Sequence, residues 1–262
     1  MENKFTINSY NDYIKALDKL WDTSLNKNIY PEILKRGYAV PENIGKADLL
    51  IIGINPSFGK IENDIRTEYK HTYPCFEELK ESENKTIYWK EIFKFIPKNI
   101  KCEHIDLFTI REAEQNKINE IGSNSLGLDF LVKHMWITQQ MIENVIKPKL
   151  IVLANRGAGA YFGKHPQYTW IGYDLEPYYI EGLETINSPN EEGELCSIAG
   201  FKKDAISRFF LSDEEFSNRY TELPEMKILF GCMQSPQGIP LKEEDKRTIQ
   251  LKTIQSILNH LK

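Results

Sequence analysis

The sequence predicts an α/β protein in three layers: a central, mostly parallel four-stranded sheet, helices on both faces, and an inserted segment before the last strand. Two observations carry that expectation. Apolar runs of strand length at 48–54, 103–110, 149–155 and 225–233 are separated by segments with helical spacing of apolar residues. Strand, crossover helix and strand in that order imply parallel pairing with both faces covered.

Taken in order, residues 8–37 place Tyr13, Ile14, Leu17, Leu20 and Trp21 at helical spacing, with Asn8, Ser9 or Asn11 as possible caps. They form a helical extension over 1–44. The first strand, 48–54, runs into a tight turn. Residues 74–97 read as helix around a polar break and stop before Pro97. The strand at 103–110 leads to Arg111, and a long helix carries Phe130, Leu131, His134, Met135, Ile137, Met141, Ile142 and Val145 up to Pro148. Strand 149–155 follows, and the turn "RGAGAYFG" opens another helix. Residues 165–225 lose these periodicities and read as an insertion of short strands or ordered loops followed by a helix. The last strand, the loop "QSPQGIPL" and a helix from about 242 to 261 close the chain.

Composition bounds the function. The 262 residues are 41% hydrophobic, enough for a real core in one domain spanning 1–262. Lys and Arg number 33 against 38 Asp and Glu, a net charge of −5, so any contact with DNA rests on a local patch. The N-terminal "MENKFTINSYNDYIKALDKL" has no apolar signal core, and no run reaches the roughly 18 apolar residues of a membrane span. A cytoplasmic monomer with no membrane contact and no cofactor is expected. Cys75, Cys102, Cys196 and Cys232 lie far apart with no C-x-x-C pair, which favours reduced thiols over a metal site.

Two glycine patterns invite a nucleotide reading and miss it. In "GINPSFGKI" five residues separate Gly53 from Gly59 where a P-loop has four, Ile61 replaces the hydroxyl, and Pro56 removes an amide donor. Gly157, Gly159 and Gly163 are one residue too long for the dinucleotide fingerprint.

The strand ending in "GINPS", the strand ending near Asp106, the segment "IKPKLIVLANRGAGAYFG" and the final "SPQG" occur in the order of the uracil-DNA glycosylase superfamily, which this chain resembles over roughly 45–165 and 225–260. "GINPS" looks like the first catalytic motif in the mismatch-specific uracil/thymine branch, where Asn stands in place of Asp. The resemblance implies a uracil-DNA glycosylase-like fold and a DNA-repair hydrolase that flips a damaged or deaminated base, uracil or a relative, out of single- or double-stranded DNA and cleaves its N-glycosidic bond.

Residue types bear on that chemistry. Glycosidic cleavage builds an oxocarbenium-like sugar and negative charge on the departing base, so a site needs a positioned water and donors to the base. Asn55 cannot take a proton as a carboxylate does, but its carbonyl can hold a water while Gly53, Ile54, Pro56 and Ser57 bring turn backbone to the substrate. An Asn-Pro pair is also a plain turn signal. Asp106 stands where the family places an Asn that reads the uracil edge. An ionised carboxylate only accepts, which suits an exocyclic amine better; its structural alternative is an ion pair with Arg111 or a turn cap. In the last motif Met233 stands where the family has His, leaving Gln234 as a weaker donor to the base. Ser235 is a candidate phosphate ligand, and Ile239 or Leu241 a candidate wedge for the gap left by a flipped base. Among Phe58, Tyr73, Phe76 and Trp89, Phe76 is favoured as the stacking platform, with Lys60, Arg66, Lys70 and His71 as local positive charge; His165 is read as structural. Without the family His, a member that binds nucleic acid or a nucleotide without efficient cleavage is the alternative. An unrelated α/β nucleotide-binding enzyme is a third reading, disfavoured by both near-miss glycine patterns.

Overall fold

The computed structural model describes residues 5–27, 31–56, 70–83, 85–112, 114, 116–153, 156–164, 170–183, 186–187, 193–221, 224–231 and 251–261. Its main sheet has six strands: β2 (Leu49–Gly53), β4 (Cys102–Asp106), β5 (Leu150–Leu153), β6 (Tyr173–Pro177), β7 (Gly193–Phe201) and β8 (Lys227–Gly231). Their order is β4-β2-β5-β8-β7-β6. Neighbours pair in parallel from β4 through β2 and β5 to β8, whereas β7 runs antiparallel to both β8 and β6. The expectation of four strands is therefore corrected to a mixed sheet of six. Both added strands come from the inserted segment, which covers the edge that β8 would otherwise leave open.

Both faces of the sheet are buried. Leu50, Ile52, Ile151, Leu153, Ile228 and Phe230 belong to one hydrophobic cluster, and Leu49, Ile51, Leu150, Val152 and Leu229 to another. Period-two alternation on two covered faces makes these strands apolar throughout. The first cluster takes in α1 (Tyr10–Asn26), α2 (Pro31–Lys35) and α6 (Ser125–Gln140); the second takes in α3 (Phe76–Glu81), α4 (Ile87–Ile92) and α8 (Leu251–His260). An α/β protein with helices on both faces is thus present.

Several boundaries differ from the sequence reading for local reasons. The helix expected across 8–37 breaks into α1 and α2, after which β1 (Tyr38–Pro41) pairs in parallel with β3 (Lys70–Tyr73) in an unforeseen two-stranded sheet. Segment 74–97 divides into α3, α4 and a 3-10 turn over Phe93–Phe95, and Thr86 caps α4 by accepting from the Trp89 amide. Helix α6 starts on an Asn124 cap, with the Gly127 amide donating to Asn124 Oδ1 at 2.9 Å. It continues as a π-helical stretch, Met141–Ile146, that Lys147 ends in a left-handed conformation (φ 48°), one residue before Pro148. After β5, Arg156–Phe162 forms a 3-10 helix. Helix α5 (Asn116–Ile121), just before α6, has no counterpart in the sequence reading; within the insertion the helix expected before β8 is present as a 3-10 turn, Ile206–Phe209, and α7 (Asp213–Thr221). No helix among the described residues is long and apolar enough to cross a membrane.

Candidate functional site

Strand order reverses around β2: the chain leaves it towards β4 and returns past it to β5. Such a switch point opens a crevice at the carboxyl ends of the strands, the place where open α/β sheets bind ligands. Gly53, Ile54, Asn55 and Pro56 lie there, at the exit of β2, and Asp106 lies beside them at the exit of β4, paired in register with Gly53.

Asn55 is held by one end only. Its Nδ2 donates to the backbone carbonyls of Glu112 at 2.5 Å, Pro56 at 3.1 Å and Ile110 at 3.4 Å. Three carbonyl oxygens can be met only by the NH2 group, so the amide has one orientation and Oδ1 points away from them. That oxygen is buried and has no hydrogen-bond partner among the described residues. An acceptor fixed by its own side chain and left open fits a water, an amide or a base N–H.

The clamp is anchored in turn. Residues 107–112 run beside the β2 exit, with the amides of Leu107, Phe108 and Glu112 donating to the carbonyls of Gly53, Ile54 and Pro56 at 3.0, 2.8 and 3.2 Å. From α6, Thr138 Oγ1 donates to the Leu107 carbonyl at 3.0 Å, and His134 Nε2 accepts from the Thr109 amide at 3.2 Å. His134 and Thr138 are four residues apart and so face the same way. Burial lowers the His134 pKa to about 3, keeping the ring neutral and able to accept. From the other side Arg36 Nη1 reaches Glu112 Oε2 at 2.5 Å, and Arg111 Nη1 donates to the Arg36 carbonyl at 2.9 Å. Arg111 is therefore engaged on the backbone, not on Asp106.

The Asp106 side chain has neither a hydrogen bond nor an ion pair among the described residues. Asp106 is half-buried, and the loss of solvation around its carboxyl pushes its pKa up to about 7. Gly53 makes this placement possible, because a methyl group there would collide with Asp106 Oδ1. On the same face of β4, His104 Nε2 lies 2.8 Å from the Tyr88 hydroxyl, and its ring packs edge-on against Trp89 with centroids 4.8 Å apart. Burial lowers the His104 pKa to about 3. Compared with family models, curated proteins and solved structures, the chain matches none.

Phe76 needs correction as a stacking platform. Its ring is 3% exposed and packs on Phe93 and Trp89, at centroid distances of 5.0 and 6.2 Å, so core packing occupies both the ring and the space around it. Tyr73, at the end of β3, is partly exposed, and desolvation of its hydroxyl, with the Asp106 charge second, raises its phenol pKa. It is the better-placed aromatic. Lys70 is exposed whereas His71 is buried. Ser57, Phe58, Lys60, Arg66, His165, Cys232, Met233, Gln234, Ser235, Ile239 and Leu241 lie outside the described residues. Cys102 and Cys196 are buried free thiols whose pKa values burial raises, Cys196 to about 12, and Cys75 is free and partly exposed. No cluster of metal-ligating side chains occurs among the described residues.

The supporting residues His134, Thr138, Arg36 and Glu112 escaped the sequence reading. A His and a Thr at i and i+4 among the apolar positions of α6 were the available signal. His104, two residues before Asp106 on one strand, carried a similar one.

Proposed function

We propose that the protein is a DNA glycosylase of uracil-DNA glycosylase type, which hydrolyses the N-glycosidic bond of a flipped, deaminated or otherwise damaged base, with Asn55 positioning the attacking water. In this reading β4, β2, β5 and β8 form the glycosylase-like unit and the insertion extends it. The observation that carries it is the Asn55 carboxamide: its NH2 is fixed on three carbonyls, and its buried oxygen stays open at the switch point beside Asp106. A carbonyl held this way orients a water without accepting its proton, so rate enhancement comes from position and from stabilising the departing base. Gly53, Ile54, Pro56 and Ser57 supply the turn, Gln234 a donor to the base, Ser235 a phosphate contact and Ile239 the wedge. Met233, in place of a ring donor, favours a second reading in which the same site binds nucleic acid with little cleavage.

The test is incubation with single-stranded and duplex oligonucleotides carrying uracil, hypoxanthine, xanthine, or thymine and uracil opposite guanine. Alkali-labile sites formed by the wild type and lost in Asn55→Ala are the expected outcome. Absence of product with enzyme in excess, alongside binding that weakens steeply with salt, would select the second reading.

A further inference from the structure

We propose that Tyr161 and Trp170 form a stacking shelf for an unpaired base beside the one held at Asn55, so that the protein takes single-stranded DNA in preference to duplex. This deepens the glycosylase reading, which leaves the strand form open, and rests on its placing of DNA at the β2 exit.

The shelf follows from how the chain leaves β5. The 3-10 helix Arg156–Phe162 comes after that strand, which lies next to β2 on the side away from β4. Tyr161 reaches back across the β2 exit. Its ring meets the Phe108 ring edge-on, with centroids 5.3 Å apart, and the Phe108 amide donates to the carbonyl of Ile54, the residue before Asn55. Its hydroxyl donates to Asn119 Oδ1 on α5 at 3.3 Å. The Trp170 ring continues the line, with its centroid 5.6 Å from that of Tyr161. Phe108 is fully buried, whereas Tyr161 and Trp170 are half-buried, so the row of rings runs from the core to solvent.

Backbone bonds fix both outer rings in place. The Ile171 amide donates to the Tyr161 carbonyl at 3.0 Å, and the Ile206 amide to the Trp170 carbonyl at 2.7 Å. Trp170 has a φ of 41°, a left-handed conformation that a bulky residue adopts only where its surroundings impose it. Trp21 and Trp136 are instead buried within helices. Strain kept at a half-exposed aromatic on the rim of a crevice points to a ring displayed for a ligand. Every base has a face that such a ring can stack on, whatever its edge. In a duplex neighbouring bases cover those faces, and in a single strand they are open, so the shelf discriminates strand form and not sequence. The Lys202 amide donates to the Gly172 carbonyl at 2.7 Å, which brings Lys202 and the exposed Lys203 beside Trp170 against Asp204. That leaves a surplus of positive charge for the phosphate that accompanies a stacked base.

The experiment is fluorescence anisotropy of the full chain with a labelled oligonucleotide of undamaged bases, single-stranded or annealed to its complement. The wild type should bind the single strand about tenfold more tightly than the duplex. Trp170→Leu and Tyr161→Leu should each weaken single-strand binding about tenfold and leave duplex binding unchanged. The salt dependence should stay the same, because stacking releases no counterions. Tyr161→Phe should bind like the wild type, and so should Tyr179→Leu, which removes an exposed aromatic elsewhere. An abasic analogue walked along the single strand should weaken wild-type binding at the position over the shelf, and Trp170→Leu should be indifferent to it there. Far-UV circular dichroism checks that each variant is folded. Equal wild-type binding of the two strand forms, or folded Leu variants that match the wild type or lose both forms alike, would overturn the shelf and leave the cleavage assay to decide the glycosylase reading. Single-strand binding that the Leu changes weaken, with no abasic product from any base, would uphold the shelf and overturn cleavage. A wild type that binds neither form would overturn both.

Discussion

Two polar clusters lie within this fold, and they differ in whether the protein satisfies its own groups. Beneath the insertion, Glu143 Oε1 accepts from Gln139 Nε2 at 2.9 Å and from the Tyr173 hydroxyl at 2.6 Å, while Oε2 pairs with Arg219 Nη2. The Arg219 guanidinium also lies 5.1 Å from the Trp136 ring and 4.7 Å from that of Phe201. Four elements, α6, β6, β7 and α7, meet on that one ion pair, although Arg219 Nε and Gln139 Oε1 are left over. At the β2 and β4 exits the donors of Asn55 are used and its acceptor is not, and the Asp106 carboxyl has no hydrogen bond among the described residues. A cluster that closes on itself holds structure together. Gln139 Oε1 is open in the Glu143 cluster too, so an open acceptor alone does not mark a site; Asn55 differs in that its NH2 is spent on backbone carbonyls at the strand exits while its oxygen is left open.

The largest expected effect lies in the closed cluster. Arg219→Met leaves Glu143 buried without its cation and should cost about 3–5 kcal/mol in urea unfolding, and the double variant Arg219→Met/Glu143→Leu should recover most of that loss. If the single change costs under about 1 kcal/mol, the pair does not fasten the insertion and the comparison fails.

Next comes Gly53→Ala. The new methyl group must displace the Asp106 carboxyl, a loss of about 1–3 kcal/mol by overpacking. Pairing it with Asp106→Ala should relieve most of the loss, because the colliding atoms are gone; a double-mutant cycle showing additivity would separate the two residues.

A smaller effect is read from pH. The folded-state pKa of Asp106, about 7, exceeds the unfolded value of about 3.9. Its contribution is therefore fully present below about pH 4 and is lost as pH rises through about 7. His104 and His134, both lowered to about 3, act in the opposite sense: what they contribute is present above about pH 6.5 and lost as pH falls. Subtracting the wild-type stability profile from that of Asp106→Asn cancels the histidines. The difference should climb by about 1–2 kcal/mol from about pH 4 to pH 8, allowing for partial solvent screening. A flat difference would mean that water or a counter-charge already serves the carboxyl.

The parallel strands were legible in the sequence because burial on both faces writes continuous apolar runs such as Leu49 to Ile52. The strands of the insertion were not. In β7 exposure is irregular, and Gly193, Glu194 and Ser197 interrupt the apolar positions, so pairing with β8 fixes the strand more than local preference does. The site was half legible. Asn55 and Asp106 stood out as polar residues at strand ends, but the clamp joins Asn55 to residues 110–112 through backbone carbonyls, which no side-chain pattern records. Phe76 was misplaced because an aromatic at a helix entry looks the same whether it faces a ligand or the core.

Asn55 gives the smallest change in stability and the sharpest division between the clusters. Asn55→Ala removes donors from three carbonyls, one bonded already to a neighbouring amide, and should cost only about 1 kcal/mol while abolishing any product in the oligonucleotide assay. Asn55→Asp should be worse for folding than Ala, since a carboxylate turned toward the same three carbonyls sets acceptor against acceptor. That order, Asp more damaging than Ala, depends on the amide pointing its nitrogen inward and its oxygen out. If Asp instead folds as well as Asn and keeps full activity, the oxygen is not the working end of this side chain, and the contrast between a closed and an open cluster would rest on Asp106 alone.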